Sequence, residues 1–318
     1  MQFFDGPGAV PPGFGPSAVT IGKFDGLHLG HRGVIRTLRE LADERGLLAT
    51  VVTFDRNPLS LLAPEKSPKP LVSNAQKLEL LAEAGVDATL MLHFDRARAD
   101  EPAEDFVTSV LLGALHAQLV LCGADFRFGA RGAGDVDLLR RLGVERGFDV
   151  VILGDLLAED AAGSRRSSST WVRELLAEGR VREAARLLGR LPSIRSTVVH
   201  GEQRGRELGY PTANLDPAIE GYLPLDGVYA TWVIVDGVRY GAATSIGNNP
   251  TFDGVPDHQV ETHLFDQDID LYDRPIVLEF VEYLRPMNSF PSVEALVAQL
   301  RRDDESIRAI LAAEPAAE

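Results

Sequence analysis

Two histidines three residues apart, His28 and His31, flank Gly30 in the stretch Gly22-Lys23-Phe24-Asp25-Gly26-Leu27-His28-Leu29-Gly30-His31. Gly26 and Gly30 let the backbone approach a ligand closely. Where such a turn leads from a strand into a helix, the helix N-terminus offers free amides and the positive end of its dipole to an anion. Paired imidazoles can then face charge developing on a phosphate. A second cluster, Arg165-Arg166-Ser167-Ser168-Ser169-Thr170-Trp171-Val172-Arg173, puts hydroxyls and amides at a helix start with three arginines behind them, a set able to hold a triphosphate. Alone, it reads better as an ordinary helix cap beside solvated charge. A third loop, Gly123-Ala124-Asp125-Phe126-Arg127-Phe128-Gly129, offers Asp125 as a polar contact and two phenylalanines as stacking surfaces. Core packing by Phe126 and Phe128 is the alternative.

The later half carries a different chemistry. His200-Gly201-Glu202-Gln203-Arg204-Gly205-Arg206-Glu207-Leu208-Gly209-Tyr210-Pro211-Thr212-Ala213-Asn214 spaces Gly201, Gly205 and Gly209 among polar and basic residues, a loop able to wrap phosphates. The Thr212 hydroxyl and Asn214 amide oxygen are hard neutral ligands suited to a magnesium ion that keeps several waters. Without further context a surface loop with a proline turn is the better reading, and Ser245-Ile246-Gly247-Asn248-Asn249-Pro250-Thr251-Phe252 reads also as a hairpin connection. Glu261 sits in an alternating run, Val260 to Phe265, as a candidate general base. A lone strand carboxylate is more often simply solvated.

The elements that must position these residues change character along the chain. Apolar runs at Ala18–Phe24, Leu47–Phe54, Ala88–Leu92, Gln118–Cys122 and Phe148–Leu153 predict strands. Helical spacing of Val34, Ile35, Leu38, Leu41 and Ala42 ends at Arg45-Gly46, Ser73 and Gln76 form a capping-box pattern for a helix running to Gly85, and further helices start near Pro102 and Asp135. Strands alternating with helices predict a parallel sheet covered on both faces, with the ligand crevice at the strands' carboxyl ends. Near residue 190 the texture becomes strand-rich. Val228–Val235 meets Val238-Arg239-Tyr240 across Asp236-Gly237, a strong hairpin signal, and Ile276, Leu278, Phe280 and Leu284 alternate. Helical spacing returns from Pro291 to about Leu311. The expectation is an antiparallel β-barrel-like module with a closing helix.

The chain has 318 residues, enough for two domains. Hydrophobic residues at 45% exclude a disordered or fibrous chain. With 47 acidic against 32 basic residues, a net charge of −15 makes a poor general nucleic-acid binder, while small anions held by local arginines stay possible. The single cysteine, Cys122, excludes an intrachain disulfide framework and suits the cytosol. No apolar run approaches the ~20 residues of a membrane span, and the absence of a basic start argues against a signal peptide. Nothing in the sequence sets an oligomeric state.

The ordered set G-x-F-D-G-x-H-x-G-H (Gly22, Phe24, Asp25, Gly26, His28, Gly30, His31), D-F-R-F-G (from Asp125) and S-S-T-x-x-R (Ser168, Ser169, Thr170, Arg173) resembles the adenylyltransferase module of the prokaryotic bifunctional riboflavin kinase/FAD synthetases. The later P-T-A-N (Pro211 to Asn214), Glu261 before Asp268-Ile269-Asp270-Leu271-Tyr272, and Leu284-Arg285 with Phe290 are similar to the riboflavin kinase module of the same family. The resemblance covers about residues 17 to 305. It implies a nucleotidyltransferase-like, Rossmann-like domain over residues 1–188 and a barrel kinase domain over 189–318. It implies ATP-dependent conversion of riboflavin to FMN and of FMN to FAD, with Mg2+ at Thr212 and Asn214. His28 and His31, with Gly22, Phe24, Asp25, Gly26, Asn57, Asp125, Arg166, Ser169, Thr170 and Arg173, would serve adenylylation. Glu261, with Gly201, Arg206, Gly209, Pro211, Thr212, Asn214, Asn249 and Arg285, would serve the kinase. Two departures stand out: Thr53-Phe54-Asp55-Arg56-Asn57-Pro58 has Asn57 where the family often has histidine, and Gln203 replaces a common glycine. Asn57 can hydrogen-bond to a phosphate but cannot carry charge.

Overall fold

The computed structural model describes residues 1–154, 165–201, 209–247 and 259–314. Contacts divide the chain into two units, Met1–Ser168 and Ser169–Glu318.

The first unit is built on six parallel strands, β1 (Gln2–Asp5), β2 (Ser17–Ile21), β3 (Leu48–Phe54), β4 (Ala88–Leu92), β5 (Ala117–Gly123) and β6 (Asp149–Leu153), in the order β1-β4-β3-β2-β5-β6. Five match the apolar runs. The sixth, β1, is an edge strand of four residues that buries only Phe4, too short a pattern to register as a strand in the sequence. It pairs with Ala88 to Met91. Strand residues divide by parity between two cores. Val19, Val52, Leu90 and Val120 point to one face, and Ala18, Ala49, Val51, Leu119 and Leu121 to the other. That partition is why the strands read as unbroken apolar runs.

Helix α1 (Leu29–Arg45) follows β2, buries Ile35, Leu38 and Ala42, and ends on Gly46 in the left-handed conformation. Helix α2 (Asn74–Glu83) opens on the expected capping box. The Gln76 N–H donates to Ser73 Oγ at 3.2 Å, and the Ser73 N–H donates to Gln76 Oε1 at 2.9 Å. Helix α3 (Ala103–Phe106) continues as a π-helical stretch, Val107–Ala114. Helix α4 (Val136–Arg146) is capped by Asp135. Because β2 has β3 on one side and β5 on the other, the chain direction switches between β2 and β5. The histidine loop leaves β2 there and the Asp125 loop leaves β5, the place where a crevice opens in such sheets.

The second unit begins with α5 (Ser169–Ala177) and α6 (Val181–Leu188). Six antiparallel strands then close a barrel: β7 (Ser193–Val199), β8 (Ala213–Leu215), β9 (Gly227–Val235), β10 (Val238–Gly247), β11 (Gln259–Leu264) and β12 (Pro275–Arg285), in the order β10-β11-β8-β7-β12-β9. The β9–β10 turn is the predicted one, with Asp236 at φ 49 and Gly237 at φ 78, both positive as a type I′ turn requires. Thr231, Thr244 and Thr262 are fully buried and hydrogen-bonded in a chain at 2.7 and 2.9 Å. Val228 and Ala230, at the alternate positions of β9, pack with Ile307 and Leu311 of the closing helix α7 (Val293–Ala313).

Candidate functional site

In the first unit the histidine loop is folded by burial at two points and by backbone strain between them. Phe24 is 2% exposed and Leu27 is fully buried, yet both have positive φ, 48 and 40. Non-glycine residues rarely occupy this region, and clusters of them mark sites whose geometry is held by surrounding packing. Gly26, at φ 76 between them, has no space for a side chain, since a Cβ would lie 2.6 Å from Leu71. Asp25 braces the loop by accepting the Leu71 N–H at 2.8 Å. Gly22 sits under the Phe24 ring, where a Cβ would lie 3.0 Å away.

His28 caps α1. Its Nδ1 accepts the His31 N–H at 3.4 Å, and the two rings stack with centroids 3.7 Å apart. An Nδ1 that accepts leaves Nε2 as the protonated nitrogen of neutral His28. His31 lies 5.1 Å from the Phe24 ring. Burial first, then the nearby charges of His28, Arg166, Lys23 and Lys77, push its pKa well below the ordinary histidine value. His31 therefore presents a neutral hydrogen-bonding edge rather than an imidazolium charge. Gly30 brings the Arg–Ser segment to the same place: a Cβ there would sit 3.1 Å from His28 Nδ1 and 3.6 Å from Ser167 Cβ. Ser167 Oγ and His31 Nδ1 are buried with no hydrogen-bond partner among the described residues, the condition expected of groups that face an absent ligand.

Arg166 lies 3.7 Å from Asp125, so the loop after β5 and the Arg–Ser segment meet on one side of the histidine pair. Phe128 is buried, and Phe126 stacks on it at 5.3 Å within the sheet core, the second of their two readings. Ser169, Thr170 and Arg173 open α5 and belong by contacts to the second unit. A cavity of about 260 Å³ lies over the carboxyl ends of β2 and β3, and Asn57 and Asp25 line it together with Lys23, Arg56 and Lys77. Asn57 Oδ1 accepts the Leu59 N–H at 3.1 Å. Lys77 is absent from the motifs read in the sequence, because its position in α2 belongs to an ordinary amphipathic helix.

In the second unit the register of β8 against β11 sets Glu261 directly opposite Asn214. On its other side Glu261 faces Ser245 of β10. Directly paired residues share a face with Cβ atoms ~5 Å apart, so the motif asparagine and glutamate share one face of the barrel, and Thr212 lies just before β8. Gly201 closes against them: a Cβ there would lie 2.3 Å from Asn214 Nδ2. His263 Nδ1 meets the Pro211 carbonyl at 2.8 Å. Thr212 also borders a cavity of about 500 Å³ lined by Val198, Ala213, Thr262, Leu264 and the segment Gln267 to Tyr272. The His200 ring stacks on Tyr272 at 3.8 Å. Gly209 has φ 78. Arg285 makes a paired ion contact with Asp303 of α7, at 2.7 Å from its Nη2, and lies over the Phe290 ring. Arg206 and Asn249 lie outside the described residues.

No helix among the described residues is long and apolar enough to cross a membrane. Comparison with known proteins finds two family matches in succession. The sequence pattern described as FAD synthetase matches residues 13–170 and that described as riboflavin kinase matches residues 188–311. Bifunctional riboflavin kinase/FMN adenylyltransferases from Escherichia coli K12, Pseudomonas fluorescens and Listeria monocytogenes are similar to this chain. The first is 39% identical over 91% of both chains, the second 36% over 98% of both, and the third 34% over 92% of both. A crystal structure from Streptococcus pneumoniae, described as a macrolide-efflux protein, superposes with a TM-score of 0.84 at 31% identity, covering 96% of this chain and 98% of that one. With both family matches present in order and relatives aligned across nearly the whole length, the chain belongs to the bifunctional riboflavin kinase/FMN adenylyltransferase family.

Proposed function

We propose that this chain makes FAD in two ATP-dependent steps, phosphorylating riboflavin to FMN and then adenylylating FMN with release of pyrophosphate. The observation that carries the reading is the presence of two built sites on one chain that belongs to this family: a helix N-terminus capped by stacked histidines at the sheet's switch point, and a strand glutamate in register with Asn214 of the Pro-Thr-Ala-Asn segment. Residues 1–188 are assigned to adenylylation and 189–318 to the kinase, with Ser169, Thr170 and Arg173 counted among the former's ligands.

The two steps make different chemical demands. The ribityl hydroxyl is a weak nucleophile, and Glu261 takes its proton as it attacks the γ-phosphorus of ATP. Asn214, on the face that Glu261 shares, and Thr212 offer neutral oxygens that fit a hard cation, and Mg2+ held by them would neutralise charge on the ATP phosphates. Gly201 makes room for the Asn214 amide. In the second step the nucleophile is the phosphate of FMN, already ionised near neutral pH, so no base is needed. The demand is alignment and stabilisation of charge between two anions. The free amides of α1, the Nε2–H of His28, neutral His31, the Ser167 hydroxyl and Arg166 meet it. Asp125 holds Arg166 at the mouth. The single buried cysteine and the choice of substrates suit a cytoplasmic enzyme.

The test is product chromatography after incubation with riboflavin, ATP and Mg2+, alongside a tube supplied with FMN and ATP. FMN followed by FAD in the first tube is the expected result. FAD from supplied FMN with no consumption of riboflavin would remove the kinase assignment. FMN that is never adenylylated in either tube would remove the other.

A further inference from the structure

The cavity over β2 and β3 holds a buried cation that no motif contains. Lys77 is 6% exposed, on α2, and its Nζ donates to the Phe54 carbonyl at 2.9 Å. That is its one hydrogen bond among the described residues, so two of the three donors of the ammonium have no protein acceptor there. A buried charge is costly unless it is paired or meets a charged ligand. The carboxylates in the same cavity are already occupied. Asp25 accepts the Leu71 N–H, and Asp55 accepts the Phe94 N–H at 2.9 Å while its other oxygen faces His93 and Arg56. Three cations, Lys23, Arg56 and Lys77, line the cavity against two carboxylates, a local positive excess on a chain of net charge −15. Burial lowers the Lys77 pKa from its ordinary value, with Asp25 and Asp55 opposing the shift, so the protein leaves this charge under-compensated. Lys23 and Asp25 of the histidine loop line the same cavity, which places it beside the adenylylation site. Asn57, a neutral residue, lines the same cavity.

We propose that Lys77 is the residue that binds the phosphate monoester of the acceptor flavin, supplying from beneath the cavity the charge that Asn57 does not carry, with Arg56 as its partner at the rim. The assignment rests on adenylylation of FMN by this chain. A fixed ammonium at the strand end gives the site a reason to accept FMN and leave riboflavin, which has no phosphate to meet it. The Phe54 carbonyl holds the side chain in place before the substrate arrives.

Two variants separate charge from packing. In Lys77→Gln the amide can still donate to the Phe54 carbonyl, but the charge is gone; in Lys77→Arg the charge stays. Initial rates of adenylyl transfer are measured against FMN and, separately, against ATP. The expected result is a rise of about tenfold or more in KM for FMN in Lys77→Gln, with KM for ATP and the kinase reaction within about twofold of the parent, and recovery of most of the loss in Lys77→Arg. Arg56→Gln, a change at the exposed rim, is expected to raise the same KM by a few-fold and serves if Lys77→Gln does not fold. An unchanged KM for FMN in folded Lys77→Gln overturns the assignment, as does equal loss in the Gln and Arg variants or, where Lys77→Gln is unfolded, an unchanged KM in Arg56→Gln. A parent chain that does not adenylylate FMN at all would instead overturn the functional reading on which the assignment rests.

Discussion

Gly201 is placed so that a single methyl group is decisive. Its Cβ would overlap the Asn214 amide at 2.3 to 2.9 Å, and Asn214 is held from behind by its β8 register with Glu261, so the amide must turn away. Gly201→Ala is expected to lower riboflavin kinase activity by roughly tenfold or more, of the order of one positioned ligand, with partial recovery at high Mg2+ and no change in adenylylation of supplied FMN. Parallel assays of the two half-reactions across a Mg2+ titration check this. His31 gives a prediction of opposite kind, an absence of titration. Its pKa lies well below the usual 6.5 because of burial and four neighbouring groups, so it stays neutral where a free histidine would charge. The acid limb of kcat/KM for FMN is expected near the second ionisation of the substrate phosphate, about 6, and to follow the substrate. For stability the sign is equally fixed. A depressed folded pKa contributes stability above the unfolded value that is lost as pH falls through the folded one. Melting temperatures of the parent and His31→Gln are therefore expected to converge, or to cross in favour of the variant, below pH 6.5. At this scale the sequence announced the identities of the histidines, Asn214 and Glu261 through their spacing. It could not announce that His28 spends Nδ1 on capping α1, that Arg285 turns to Asp303, or that Lys77 is buried in a cavity, because each depends on residues distant in the chain.

Helix α7 is tied to the barrel by an apolar seam with a largely buried ion pair inside it, and Arg308 adds an exposed pair with Asp266. Ile307 and Leu311 supply the apolar part. Asp303, 4% exposed, receives Arg285 from the end of β12 and Gln299 from its own helix. Removing the carboxylate leaves a largely buried guanidinium without its partner, which costs about 3 kcal/mol. Asp303→Ala is expected to lower the melting transition of the second unit by roughly 5–10 °C and to weaken the kinase reaction at assay temperature. Adenylylation of supplied FMN should fall less, because of its proposed ligands only Ser169, Thr170 and Arg173 belong to the second unit; calorimetry with the two activity assays reads all three effects. Loss of adenylylation to the same degree would contradict the independence of the two cores. Legibility at this scale followed length and pattern. The buried strands of the sheet, the Ser73 capping box and the Asp236-Gly237 hairpin carry local signals strong enough to survive folding. β1 and β8 do not. The first has one buried residue in four, and the second is three residues long, within a Gly- and Pro-punctuated stretch that reads as loop. The π-helical stretch Val107–Ala114 has no composition that would separate it from an α-helix.

Across the whole molecule, the two textures of the sequence, apolar runs alternating with helices and then short alternating strands, correspond to two units that each close their own core. A sheet buried on both faces and a closed barrel do not share strands, so the residues proposed for each half-reaction can be altered separately. That separation makes the fate of the intermediate measurable. Glu261→Gln removes the proposed base from β11 while leaving the histidine loop untouched, and should adenylylate supplied FMN but fail on riboflavin. His28→Ala removes the α1 cap side chain and should stop at FMN. Mixed in one tube with riboflavin, ATP and Mg2+, the two variants can make FAD only if FMN leaves one molecule and enters another. The cavity that receives the flavin phosphate is bordered by exposed Arg56, so FMN arriving from solution has a charged rim to meet. The mixture is expected to form FAD after a lag that shortens as the protein concentration is raised, as a diffusing intermediate requires. A mixture that accumulates FMN and never makes FAD, while the Glu261→Gln variant still converts added FMN, would mean that the kinase product is not released to solution in a form the second site accepts.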